Sequence, residues 1–431
     1  NTESYGNRTN TEYEGSSMNK RNLWRKWYIF LIGSCLVVGL LTGCQKEKET
    51  SVKPVQTLTL WHYLDSSASK QALLEIADTF NHSQENIQVE IQYASDEDFK
   101  KHLALSMADG DMPELALVDS SDLNYFNAMQ SFVNVTDQIE NLDEYLPEAI
   151  ASCNVDGQMK GMPIGMNCAA LFCNTEMLEE AGLQVPKTWD ELQETALKLT
   201  TEDRYGFAMP ALRSEESVFS FLPLLWGYGG KIAEIESEES QAAFLKLREL
   251  SESGAMSPQV NNLTSGDIGR QFMAGNVAMV LVSSALQQTI QKEKPNMKYA
   301  MTIPPAGNEN IERVTAVGGE VLVVTPGEKQ DAALEFVKFV SEKSQMEKLL
   351  NQIGYLAPRQ DILSEQIADS KALKNTYEIL QYAKLREFSV DWPYVSVALT
   401  DAMEDEIVGE IPQAVIISNL AEKLRENREA E

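Results

Sequence analysis

GQMKGMPIGMNCAALFCNTEMLEEAGLQVPKTWDELQETALKL, residues 157–199, decides how the rest of the chain is read. Asp156-Gly157 is a turn dipeptide, and Met159 to Pro163 can form a short extended piece. Ile164 to Phe172 is a mostly apolar crossing, with no charge between Gly161 and Cys173. Such a run suits a strand covered on both faces, as in the waist between two lobes. Glu176 to Ala181 has helical composition, and Gly182 is placed to stop that helix in a left-handed conformation. Thr188 can cap the next helix, with Glu191 three residues on at capping-box spacing.

Pro163-Ile164, Leu171-Phe172-Cys173-Asn174 and Pro186 to Glu191 follow one another in that order. Together they resemble the signature of the family 1 extracellular solute-binding proteins of ABC importers, the group that includes maltodextrin-binding proteins. Cys173 stands where that family usually has Tyr, a departure that touches packing more than role. The likeness extends more loosely from about Leu58 to the C-terminus, and it is specific for the family rather than for any one ligand. It implies an α/β, periplasmic-binding-protein-like fold of type II, with two lobes joined by three hinge crossings and a ligand cleft between them. On this resemblance residues 55–163 plus 317–355 form lobe 1, and 164–316 plus 356–431 form lobe 2.

The pattern along the chain agrees with an α/β reading. Val55 to Trp61 alternates apolar and polar, as does Ile87 to Tyr93, and Glu114 to Val118 is a short apolar run. Between them lie helical stretches, Ser69 to Phe80 with Leu73, Leu74, Ala77 and Phe80 at core spacing, and Glu97 to Met107. Strand–helix–strand–helix–strand predicts a parallel sheet with crossover helices. Ligands gather beyond the carboxyl ends of such strands, which singles out the loops Trp61 to Ser67 and Asp119 to Asp122. Further on, Ser217 to Gly230 is aromatic-rich and Ala242 to Leu250 helical. Asp267 to Val282 resembles that family's helix, glycine turn and Val-Ala-Met strand, and leads into Ser283-Ser284. Val314 to Val324 reads as the return strand, and Asp331 to Val340 as a helix. Gly354 to Arg359 is expected to be the third crossing.

Residues 1–17 precede the first methionine, Met18, and are expected to be an upstream extension. Residues 18–43 read as a secretion signal: Lys20, Arg21, Arg25 and Lys26 precede the uncharged run Trp27 to Leu41. Leu41-Thr42-Gly43-Cys44 resembles a bacterial lipobox, which implies cleavage before Cys44 and lipidation of its sulfur. Residues 44–54 would then tether the globule to the outside of the cell membrane. The formal net charge of −29 makes nucleic acid and anionic lipid unfavourable partners. Cys153, Cys168 and Cys173 are expected to be buried free thiols.

Sugars need aromatic faces against the pyranose ring and polar groups at its hydroxyl edge. Candidates on the right loops are Trp61, His62, Asp65, Asp119, Ser120, Asn167, Phe219, Trp226, Ser283, Glu320, Tyr355 and Trp392. Glu320 follows Gly318-Gly319, where a ligand can approach backbone, and the resemblance places ligand contacts there too. Tyr63, Met166 and Trp189 read as packing. Rival chemistry is sparse. Ser67 to Lys70 is a Ser-x-x-Lys without a following Lys-Thr-Gly, and no phosphate loop or metal-binding motif occurs. His62, His82 and His102 stand 20 residues apart without metal-ligand spacing. The expectation is a monomeric, cofactor-free lipoprotein that captures an extracellular carbohydrate and feeds an ABC permease. A secreted glycan-cleaving enzyme and a binding protein for a non-sugar solute are the alternatives.

Overall fold

The computed structural model describes residues 54–386 and 391–429. The upstream extension, signal, lipobox and most of the tether lie outside the described residues. The capping box of residues 188–191 is present: Thr188 Oγ1 accepts from the Glu191 amide at 3.2 Å, and Glu191 Oε2 accepts from the Thr188 amide at 3.3 Å. It starts the helix Trp189–Leu199, whose first residue, Trp189, is fully buried. Thr188→Ala is expected to cost about 1 kcal/mol, read as a lower urea midpoint with an unchanged slope.

Strands β1 (Gln56–His62), β2 (Ile87–Tyr93) and β3 (Leu115–Asp119) are parallel, with β1 in the middle. Helices Ser67–Ser83 and Asp96–Asp109 make the crossovers. Ser66 caps the first of these by accepting from the Ser69 amide. Leu74 does not join the core as its spacing suggests. It is 52% exposed, while Leu73, Ile76, Ala77 and Phe80 face inward. A hairpin, β4 (Asn154–Val155) and β5 (Gln158–Met159), precedes the long strand β6 (Met162–Asn174).

The remaining strands are β7 (Tyr205–Ala208), β8 (Val277–Ser283), β9 (Tyr299–Thr302), β10 (Thr315–Val324) and β11 (Ala383–Lys384). One path runs β2-β1-β3-β10-β6-β8-β7, with β11 on β10 and β9 on β6. β10 lies antiparallel between β3 and β6, so two long strands join what would otherwise be separate sheets.

The hydrophobic residues divide into two cores. The first gathers Leu58, Leu60, Phe99, Val118, Phe126, Phe336 and Leu350; the second gathers Phe172, Trp189, Phe221, Phe244, Phe272 and Leu399. β6 contributes Met162 and Ile164 to the first and Cys168 to Cys173 to the second. β10 gives Ala316 to the second and Val321 to Val324 to the first. Cys153, Cys168 and Cys173 are free and buried, and burial pushes each of these thiols up to about 12.

One expectation is corrected here. Leu356 to Leu373, assigned by resemblance to lobe 2, pack into the first core. Arg359 holds them there: it is fully buried, donates to the Ser341 carbonyl and pairs with Asp361. Gly354 to Arg359 is therefore not where the chain changes core. That change comes in helix Lys371–Leu380, where Leu373 belongs to the first core and Ile379 to the second.

Where β6 and β10 cross, glycine is required. A Cβ on Gly319 would sit 2.6 Å from the Gly165 carbonyl oxygen. Just beyond, the register shifts between Glu320, opposite Gly165, and Val321, opposite Pro163. Pro163 has no N–H to offer the ladder, and the irregularity falls beside it. Both Glu320 and Val321 are buried as a result: Val321 enters the first core while Glu320 lines a cavity.

Candidate ligand cleft

The cavity lies where the ends of β1 and β3 and the middle of β10 meet the helix Glu215–Gly227. It is a space of about 40 Å³ between Tyr63, Asp119, Asn167, Glu215, Phe219 and Glu320, with Ser265, Ser283 and Tyr355 at its side. Through Glu216, Ser265, Ser283 and Tyr355 it adjoins a second space of about 100 Å³ that reaches Asp65, Arg270 and Glu293. The lining comes from both cores, with Tyr63 and Tyr355 from the first and Phe219 from the second.

Glu320 is the group at the centre. Its Oε1 accepts from the Tyr355 hydroxyl at 3.0 Å and from the Tyr63 hydroxyl at 3.4 Å. Its Oε2 is buried and has no hydrogen-bond partner among the described residues. Burial, and then the Asp119 carboxylate, push the Glu320 carboxyl up to about 8 despite the Tyr355 hydrogen bond. Burial and Glu320 in turn hold the Tyr355 hydroxyl well above its ordinary range. Gly318 leaves room beside this pair. A Cβ there would lie 2.7 Å from Asn167 Oδ1 and 3.0 Å from the Phe219 ring.

A charged network forms the wall. Arg386 donates to Asp119 at 2.9 Å and to Glu215 at 2.8 Å, with its guanidinium 5.4 Å from the Phe219 ring centroid. Glu215 also accepts from Trp392 Nε1 at 3.1 Å and Ser396 Oγ at 2.7 Å, and pairs with Lys100 at 2.9 Å. Burial alone would raise the Glu215 carboxyl; Lys100 and Arg386 outweigh it and hold Glu215 below its usual value. Asp122 fares differently. Burial, only partly opposed by Lys100 and reinforced by Glu215 and Asp119, pushes it up to about 7.

The twelve candidates separate by place. Asp119, Asn167, Phe219, Ser283, Glu320 and Tyr355 line the first cavity, and Asp65 lines the adjoining space while accepting from the Gly266 amide at 3.0 Å. The other five stand elsewhere. Trp61 donates to Gln92 on β2. His62 is buried against Tyr93, and burial, then Lys70, lowers it to about 4, so it is neutral. Ser120 faces a separate space behind the crossing with Met166 and Arg386. Trp226 is half-buried against the second core, with Lys384 5.9 Å from its ring. Trp392 is fully buried behind the wall, holding Glu215. Tyr63, expected to be packing, is buried in the first core against Phe99 and also lines the cavity. Glu215, Arg386, Lys100 and Ser265 carried no signal of their own, since isolated charged or hydroxyl residues are ordinary on helix ends and loops. The Ser-x-x-Lys tetrad has no catalytic geometry: Ser67 bonds Glu293, while Lys70 lies over the Tyr93 ring at 3.7 Å.

Two α/β cores threaded by shared strands, with a polar and aromatic cavity between them, define a two-lobed binding-protein fold. The maltose-bound MalE3 structure of T. maritima superposes with a TM-score of 0.78 at 21% identity, covering 86% of this chain and 99% of that one. The arabinooligosaccharide-binding protein of Halalkalibacterium halodurans is 24% identical over 285 residues, 60% of this chain and 61% of that protein. A Brucella abortus (strain 2308) protein named for binding, without a stated solute, is 23% identical over 280 residues, 62% of this chain and 68% of its own. A family profile described as bacterial extracellular solute-binding protein matches residues 75–375, and the chain belongs to that family. Among the described residues no helix is long and apolar enough to cross a membrane.

Proposed function

We propose that this solute-binding protein captures an extracellular carbohydrate in the cleft, encloses it by closure of the two lobes about β6 and β10, and delivers it to an ABC permease. The observation that carries the reading is the Glu320 Oε2, a buried carboxyl oxygen without a hydrogen-bond partner among the described residues, on a cavity walled from both sides. A guest hydroxyl would satisfy it. Asn167, Ser265, Ser283 and Asp119 supply further donors and acceptors, and the Phe219, Tyr63 and Tyr355 rings supply faces for a pyranose. The sugar named for the Halalkalibacterium relative and the maltose of the T. maritima structure favour the same class. Cys44 is proposed as the lipid anchor that keeps the protein at the cell surface; Cys44→Ala should abolish incorporation of labelled fatty acid.

A thermal-shift panel of mono- and oligosaccharides, polyols, amino acids and polyamines tests the guest class. A true guest at a hundredfold excess over its Kd stabilises by about 2.7 kcal/mol. A shift confined to amino acids or polyamines would remove the carbohydrate assignment and leave the binding function standing.

A further inference from the structure

The wall of the cavity has an arrangement that the capture of a guest does not by itself require. Lys100, Asp119 and Asp122 come from the side of the first core: Lys100 from helix Asp96–Asp109, Asp119 and Asp122 from the end of β3 and the turn after it. Glu215, Trp392, Ser396 and Arg386 come from the side of the second core; Arg386 follows β11, which pairs with β10 at Thr315 and Ala316. Two ion pairs cross between the sides, Lys100–Glu215 at 2.9 Å and Arg386–Asp119 at 2.8 Å.

Each of these four charges is also held from its own side. Lys100 pairs with Asp122 at 2.9 Å, and Arg386 pairs with Glu215 at 2.8 Å. Asp119 accepts from the Ser121 amide at 2.8 Å and the Ser121 hydroxyl at 2.7 Å. Glu215 keeps its bonds from Trp392 and Ser396. Parting the lobes therefore leaves no charge without an internal partner. Bringing them together adds two pairs between groups already fixed in orientation. Fixed dipoles and charges lose little entropy when they meet, which is what makes a preformed charge face favourable where a flexible surface pair is nearly neutral. The pairs are also shielded: the side chains of Glu215 and Arg386 are 3% and 2% exposed, that of Asp119 11% and that of Lys100 20%.

We propose that Lys100–Glu215 and Arg386–Asp119 form a latch between the lobes, drawing them together without help from a guest. Lys100 and Arg386 are then positioning residues for the cleft. They fix how Asp119, Glu320 and Phe219 face one another before any guest arrives. The inference rests on the reading that the lobes open and close, and on no assumption about what the guest is.

The test is the distance across the cleft in the solute-free protein. Spin labels go on Glu90→Cys, in β2, and Glu202→Cys, after helix Trp189–Leu199; both positions are exposed. Cys153, Cys168 and Cys173 are buried and do not compete for label, and Cys35 and Cys44 are replaced by Ser in the full chain. Pulsed electron–electron resonance is expected to show a short-distance population in the parent chain. Lys100→Ala and Asp119→Asn should each lower its ratio to the long-distance population by about tenfold. Thermal melts of the same samples confirm that each variant is folded. A parent chain with the long distance alone, or a short population that both variants leave unchanged, overturns the latch. Neither reading needs a sugar, so a panel without any carbohydrate hit would sink the guest class and leave this result intact.

Discussion

Arg386→Ala is expected to lower the melting temperature by about 4–6 °C in scanning calorimetry at pH 7. The guanidinium sits between two buried carboxylates, Asp119 and Glu215, and against the Phe219 ring. Burial works against its charge, and the two carboxylates more than reverse that, holding Arg386 above its ordinary value. Removing one partner of such a pair costs about 3–5 kcal/mol, because the charge left behind is buried and uncompensated. Here Glu215 retains Lys100, Trp392 and Ser396, so Asp119, with Ser121 as its remaining partner, bears more of the loss. Arg386→Lys should recover part of the deficit, since an ammonium can serve one carboxylate but not fork between two. A shift below about 2 °C for Arg386→Ala would mean that water reaches the wall and that the network contributes little.

The second large effect is on pH dependence. A carboxyl raised from 4.5 to about 8 in the folded protein binds its proton more tightly there than in the unfolded chain. Between those values the folded state holds more protons, so stability falls as pH rises. The contribution is fully present below the unfolded value near 4.5 and is lost as pH passes through about 8. Asp122, raised to about 7, acts in the same direction one unit lower. Glu320→Gln keeps a carbonyl to accept from Tyr355 and removes the titration. Parent and variant should be similar near pH 4.5, and the variant should gain steadily above it, by on the order of 3–5 kcal/mol at pH 9. Chemical denaturation from pH 5 to 9 reads this directly. Parallel curves for the two proteins would show that Glu320 is ionised and solvated across the range.

What could be read in advance was local. The capping box at Thr188 and Glu191, the strand periods of β1 and β2 and the uncharged run of β6 depend on neighbours a few residues apart, and each stands in the structure within a residue or two of its reading. Gly318-Gly319-Glu320 was legible because two glycines beside an acid have few other uses in a strand. The wall was not. Arg386 and Glu215 are 171 residues apart and meet only because β11 adds to β10 beside the helix that begins at Glu215. Nothing near Arg386 along the chain distinguishes it from a surface arginine. Aromatic candidates separated for a related reason. Loop position puts Trp61, Trp226 and Trp392 near strand or helix ends, but which way a ring turns depends on what fills the space beside it. Trp392 opens its helix with Pro393 at the next position and points inward to Glu215, whereas Tyr63, two residues beyond Trp61, faces the cavity.

The placement of β10 also governs the order in which the molecule can assemble. β3 ends at Asp119, and its antiparallel neighbour there is Glu320, about 200 residues later. Until that distant segment has been synthesised, the first sheet has an open edge and the first core lacks Val321 to Val324 and Phe336. A nascent chain of this design stays incompletely folded through most of its length. That is the state in which a polypeptide can still be threaded through a narrow secretory pore.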